Sequence, residues 1–238
     1  MGHGENTNGT YDPGASANGY VEADFLRGSL LPYLKKWAKQ SARSIQFYER
    51  FSAYNNQYLN KVDPAAFEVC ELHIDWTPGA TGGHVIIHGD YTPDAQDDAL
   101  ANMIKKYWGC RGGVCFSHRF DLQNVNIARH RGINYRLVEY CFITNVKDMR
   151  TFEDNLDGIA KATVEAMTGE KLLAPVTDPV IPKPQPPAND NPDEWTKKVR
   201  DDLVAHDIMS DGAWDGPVTK MMVASWLYTA KAKGYFKE

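Results

Sequence analysis

Two rhythms of apolar and polar positions run along the N-terminal part of this chain. After Glu22, the residues Phe25, Leu26, Leu30, Leu34, Trp37 and Ala38 recur at helical spacing and predict an amphipathic helix. Phe67–Trp76 alternates instead: Leu72 and Ile74 share one face, Glu71, His73 and Asp75 the other, as in a strand. Gly83–Gly89 reads as a second strand and Pro93–Tyr107 as a helix starting near Asp94 or Ala95. Ile133–Ile143 is the strongest strand signal, apolar on both faces, which is normal for a central strand covered by helices. Thr151–Met167 reads as a helix, with Gly169 placed where a C-terminal cap glycine belongs. Strands alternating with helices predict an α/β layer fold with helices on both sheet faces.

This pattern ends at a proline-rich stretch. Seven of the 13 prolines lie between Pro175 and Pro192. Such a segment cannot form a helix or a central strand, and it predicts an extended tether. The expected organisation is a large domain over residues 1–173, a linker over 174–193 and a small all-α module over 194–238.

Composition narrows the function classes. Of 238 residues, 42% are hydrophobic and 24% charged, an ordinary globular balance. The formal charge of −5 argues against a nucleic-acid partner, which would call for a basic face. No apolar run approaches the ~18 residues that suggest a membrane span. The opening MGHGENTNGTYDPGAS has neither a basic nor an apolar stretch of the kind a secretory signal needs, so no signal peptide is expected. Without export, Cys70, Cys110, Cys115 and Cys141 are expected to be reduced packing residues, although Cys110 and Cys115 could face each other across Arg111-Gly112-Gly113.

Several polar residues break the inside/outside pattern. Glu22 shares the apolar face of its helix. It is either a first-turn carboxylate favoured by the helix dipole, or a buried one that needs a partner or a metal. Glu139 shares a face with Tyr135, Leu137 and Cys141. It is either a structural partner of Arg136 or Arg119, or an active-site group with a shifted pKa. His73 lies near the carboxyl end of its strand, where open α/β sheets bind ligands, though a lone strand histidine is commonly a packing residue. His84 and His88 are four residues apart in a strand, roughly 13 Å, too far to share one ion. His118 and His130 look like surface residues. Together His3, Glu22 and His73 supply two imidazoles and a carboxylate, a set used by catalytic zinc sites, but their separations have no diagnostic spacing.

The order of these segments carries more information than any one of them. GHG followed by DPGA, then Glu22 opening a helix, resembles the zinc-dependent N-acetylmuramoyl-L-alanine amidases of the LytC/AmiC-like type common in phage endolysins. ELHID resembles that family's second histidine strand, and Arg111-Gly112 followed by Asp121-Leu122 its RG…L segment. LVEYCFITNVKDM resembles its glutamate strand, closing in the Asn-x-x-Asp turn of Asn145 and Asp148. The resemblance runs from His3 to about Gly169. It implies a three-layer α/β/α domain with a central sheet of about six strands. It also implies one zinc ion on His3, Glu22 and His73, with Glu139 as the catalytic carboxylate. The family usually leads into GHG with an apolar strand, whereas here only Met1-Gly2 precede His3, which leaves the rigidity of His3 to be established.

Residues 194–238 suggest two helices around a loop that contains Trp214. The pattern resembles a single S-layer-homology-like repeat. Trp195, Trp214 and Trp226 are candidate wall-binding residues, or else core. One short copy has little core of its own, which suggests self-association into a homo-oligomer. From Asp190 on there are seven Lys/Arg against nine Asp/Glu, which argues against simple electrostatic capture by anionic wall polymers.

The resulting expectation is an endolysin that acts on bacterial peptidoglycan. It would be made in the host cytoplasm and released to the wall, with its terminal module on a secondary wall polymer. The alternatives are a zinc peptidase acting on the stem peptide and a non-catalytic wall-binding protein.

Overall fold

The computed structural model describes residues 1–53 and 58–173. The proline-rich stretch, the terminal module and its three tryptophans lie outside the described residues.

Two short hairpins come first: β1 (Gly4–Glu5) with β2 (Tyr11–Asp12), and β3 (Ser16–Ala17) with β4 (Tyr20–Val21). A helical rod follows, built from α1 (Glu22–Phe25), a π-helical turn (Leu26–Leu30) and α2 (Leu31–Ala38). Then come β5 (Val69–Asp75), β6 (His84–His88), α3 (Ala95–Tyr107), β7 (Phe116–Arg119), α4 (Gln123–Arg131), β8 (Tyr135–Phe142), α5 (Val146–Asp154) and α6 (Leu156–Thr168).

The central sheet runs in the order β5-β8-β6-β7. It is mixed: β8 pairs parallel to β5 and antiparallel to β6, while β6 and β7 run parallel. The mixed α/β architecture is the expected one, but this sheet has four strands among the described residues rather than about six. The glycine-rich opening accounts for part of the difference. Gly9, Gly14 and Gly19 all adopt positive φ, so the chain folds into two-residue hairpins instead of a longer strand. Met1 and Gly2 nonetheless lie beside β5: the Gly2 N–H donates to the Leu72 carbonyl at 3.2 Å, and the Ala53 N–H to the Gly2 carbonyl at 2.9 Å. His3 therefore leaves from a fixed point without a strand leading into it.

Each sheet face has its own packing. On one, Val69, Ile86, Tyr135 and Leu137 meet Val125 and Ala128 of α4, together with Leu59 and Val62. On the other, Tyr140 packs on Trp108 and Phe152, and Phe152 on Phe25 of α1, with ring centroids 5.0–6.0 Å apart. Burying each such side chain is worth roughly 1.5–3 kcal/mol. Arg136 sits on this second face, fully buried, and donates to Asp97 (2.8 Å), Asp94 (2.8 Å) and Glu68 (3.1 Å). Asp94 caps α3 by accepting from the Gln96 and Asp97 amides, and Asp97 accepts in return from the Asp94 amide.

Two expectations about the chain are corrected. The helix read over Thr151–Met167 is two helices, because Asn155 leaves helical geometry at φ −123°, ψ 18°. Gly169 caps the second at φ 69°, as the sequence suggested. Cys110 and Cys115 are not packing thiols but are joined as a disulfide. The turn Arg111–Gly113, with Gly112 and Gly113 at positive φ, folds back and brings their Cα atoms to 4.7 Å. Cys70 and Cys141 are free.

Candidate functional site

Three separate pieces of chain meet at the carboxyl end of β5. His3 immediately precedes the first hairpin, α1 opens with Glu22, and β5 carries His73. One ligand atom from each lies within 4.8 Å of the others, and the two imidazole centroids are 4.8 Å apart, edge to face. Glu22 and His73 are buried, while His3 keeps 24% of its side chain exposed. The buried, paired alternative for Glu22 is the one observed.

Every member of this trio is held from behind. His3 Nδ1 lies 2.8 Å from Asp12 Oδ2, which leaves Nε2 facing Glu22 Oε2 at 3.6 Å. Asp12 is itself anchored, since its Oδ1 accepts from the Gly14 amide at 3.1 Å. Glu22 accepts from the Ile74 amide at Oε1 (3.0 Å) and from the Ala15 amide at Oε2 (2.8 Å). His73 directs Nδ1 at Glu22 Oε1 (2.9 Å) and Nε2 at Glu71 Oε1 (2.8 Å). Glu71 in turn accepts from Asn124 Nδ2 (2.7 Å) and the Tyr135 hydroxyl (2.9 Å). Two glycines make the approach possible. A methyl on Gly2 would overlap the His73 ring, and one on Gly14, which sits at φ 68°, would strike the His3 ring and Glu22.

Glu139 lies on the same sheet face as His73. The register pairs it with His73 on β5 and with His84 on β6, so the three form a row across neighbouring strands. Arg136 points to the opposite face, and Arg119 is engaged by Asp121 at 2.7 Å, so neither expected structural partner reaches Glu139. Its Oε2 is shut off from solvent and has no hydrogen-bond partner among the described residues.

The electrostatics follow from these contacts. Burial raises the Glu139 carboxyl; the His73 charge opposes this, the carboxylates of Glu22, Asp75 and Glu71 reinforce it, and the result is about 8. Burial also pushes Glu22 and Glu71 upward. The hydrogen bond and charge of His73 outweigh that for both, so Glu22 falls below the usual carboxylate range and Glu71 to about 2. Burial disfavours the His73 cation, but Glu22 and Glu71 raise its pKa well above the ordinary value.

The remaining histidines separate cleanly. His84 is buried, with Nδ1 2.6 Å from Ser117 Oγ. His88 packs edge-on to Tyr91 and Phe120. His118 and His130 are exposed, as expected. The Asn-x-x-Asp turn clamps the backbone beside the site: Asp148 accepts from Thr81 Oγ1 (2.8 Å) and the Gly82 amide (3.0 Å). The sequence reading missed Asp12 and Glu71 as supports. The period-two pattern did put Glu71 on the His73 face, whereas nothing in DPGA marked Asp12 as the partner of His3.

A family model described as N-acetylmuramoyl-L-alanine amidase matches residues 1–169. A Staphylococcus aureus protein named "Probable autolysin PH" is 33% identical over 189 residues, covering 72% of this chain. The match spans 38% of that relative's length. The CwlD amidase of Clostridioides difficile, solved with the GerS lipoprotein, superposes with a TM-score of 0.54 at 18% identity, covering 71% of this chain and 93% of that one. The catalytic domain of CD27L, an endolysin targeting Clostridia difficile, gives 0.52 at 18% identity, covering 72% of this chain and 96% of that one. At these identities the two structures speak for the fold. The family match, which takes in His3, Glu22, His73 and Glu139 alike, carries the assignment: this chain belongs to the N-acetylmuramoyl-L-alanine amidase family.

Proposed function

We propose that the chain hydrolyses the amide joining N-acetylmuramic acid to L-alanine in peptidoglycan, with one zinc ion held by His3, Glu22 and His73 and with Glu139 moving the proton. The observation that carries this reading is a carboxyl group whose Oε2 is shut off from solvent and has no hydrogen-bond partner among the described residues, one strand away from a converged pair of imidazoles and a carboxylate. The donor set fits zinc: two nitrogens and one oxygen leave a fourth position open, and the ring nitrogens turned away from the cluster are each held by a carboxylate. An ion bound there would supply Lewis acidity, making water nucleophilic near neutral pH and polarising the amide carbonyl.

The protein's own part is proton traffic and orientation. Glu139 takes a proton from the attacking water at a carboxylate oxygen. It then delivers that proton to the L-alanine nitrogen as the carbon–nitrogen bond breaks, so the leaving group departs as a neutral amine. A carboxylate standing beside the attacking water can accept its proton and return it to the leaving nitrogen, and such help is typically worth about 10²–10⁴-fold.

The biological setting is part of the same proposal. An endolysin made in the host cytoplasm, released to the wall and tethered there through residues 194–238 accounts for the proline-rich stretch, because tethering raises the local concentration of the catalytic domain. No described helix is long and apolar enough to cross a membrane. Digestion of purified cell wall tests the reaction. Mass spectrometry should find stem peptides with free L-alanine amino groups and intact glycan, lost on chelation and restored by zinc. Cleavage within the stem peptide would instead indicate a peptidase.

A further inference from the structure

The polar row continues past Glu139. From the end of β5, the Asp75 carboxylate Oδ2 reaches within 3.4 Å of His84 Nε2. Arg111 brings Nη1 to 3.4 Å of that oxygen and 3.5 Å of the same ring nitrogen. Its guanidinium carbon sits 5.5 Å from the centre of the Phe142 ring. The backbone beneath it is fixed: the Arg111 amide donates to the Gly83 carbonyl at 2.9 Å, and the Cys110–Cys115 disulfide closes the turn. Arg111 nevertheless keeps 43% of its side chain exposed. Its Nε and Nη2 have no partner among the described residues.

A guanidinium anchored by one nitrogen and laid over a ring presents its free edge as a fork matched to a carboxylate. The surroundings make that edge stand out. Glu22, Glu71 and Asp75 make the row acidic, Arg119 is spent on Asp121, and Arg136 faces away. An anionic substrate lying along this row meets Arg111 as its cation. The separation is also suitable. His84 stands two strand spacings from His73, roughly 10 Å. A peptide leaving the scissile amide covers about 7 Å in two extended residues, which leaves about one hydrogen-bond length to the guanidinium beside His84.

We infer that Arg111 binds the free α-carboxylate of the second stem residue, the γ-linked D-isoglutamate that follows L-alanine, and so selects stem peptides in which that group is not amidated. This rests on the amidase reading and adds a specificity determinant to it.

Two muramyl tripeptides that differ only in this carboxylate or its carboxamide test the inference on the full chain. The parent should prefer the carboxylate by about tenfold or more in kcat/KM, expressed mainly in KM. In Arg111→Gln that ratio should fall to near one, and Arg111→Lys, which keeps charge without the fork, should lie between. A parent that cuts both equally, or a variant that keeps the parent's ratio, overturns the assignment. A binding readout separates this from failure of the amidase reading. Calorimetry on metal-free protein with the N-acetylated stem tripeptides should show tighter binding of the carboxylate form to the parent and no preference in Arg111→Gln. Equal binding, or none, overturns the role of Arg111 whatever bond the enzyme proves to cut.

Discussion

Glu71 Oε1 lies 2.8 Å from Nε2 of His73, two residues along the same strand. In a strand these side chains point to the same face, so β5 supplies both an imidazole and the carboxylate that orients it. Asn124 and Tyr135 complete the hydrogen bonding of this buried carboxylate, which would be costly to bury alone. Glu71→Gln is therefore expected to weaken zinc binding by about 10–100-fold. Competition against a chromophoric chelator would measure this, and an affinity equal to the parent's would remove Glu71 from the account. Tyr135→Phe, which reaches His73 only through Glu71, should give a smaller effect in the same direction.

Glu139→Gln separates binding of the ion from its use. The variant should hold zinc as the parent does and lose turnover by at least about 10²-fold. Metal analysis and a wall-turbidity assay on the same preparation would check both halves. Lysis at the parental rate would contradict the role of Glu139.

The same residue sets a pH dependence in the metal-free protein. Burial holds the Glu139 carboxyl at about 8, above its unfolded value, so between roughly pH 4.5 and 8 the folded state retains a proton that the unfolded state has lost. This contribution makes stability fall as pH rises through that window. Glu139→Gln cannot titrate, and its stability relative to the parent should increase from pH 5 to pH 8 in urea unfolding with chelator present. A constant difference across that range would show that Glu139 does not titrate there.

Gly14 tests the packing around the cluster. Its φ of 68° and the closeness of His3 and Glu22 leave no room for a methyl group. Gly14→Ala should lower zinc affinity by displacing those side chains, and the unfavourable backbone geometry should cost roughly 1–2 kcal/mol of stability. Gly9 also has positive φ but no neighbour around the position of an added Cβ, so Gly9→Ala serves as a control. It should lose stability and leave zinc affinity at the parent's value.

The long-period elements were legible in the sequence because one physical pattern dominated each. The strand through Glu139 was apolar on both faces, β5 alternated cleanly, and Gly169 marked a helix end. The helix Gln123–Arg131 has no such signature, because its sequence QNVNIARHR is mostly polar and carries little apolar periodicity. The hairpins that fix His3 and Asp12 are two residues per strand, too short to show any period. Arg136 and Glu139, three residues apart on β8, looked like possible partners, yet odd spacing along a strand sends them to opposite faces. The candidate trio could be named from residue types and family resemblance. Its supports, Asp12 and Glu71, emerge only where separate stretches of chain meet.

The most direct measurement of the central claim is an anomalous diffraction map at the zinc edge from crystals of the full chain grown with one equivalent of zinc. The account predicts one strong peak within about 2.0–2.2 Å of a nitrogen from His3, an oxygen from Glu22 and a nitrogen from His73, with the Glu139 carboxyl group beside it. A map with no peak there, or with zinc held by other side chains, would contradict it.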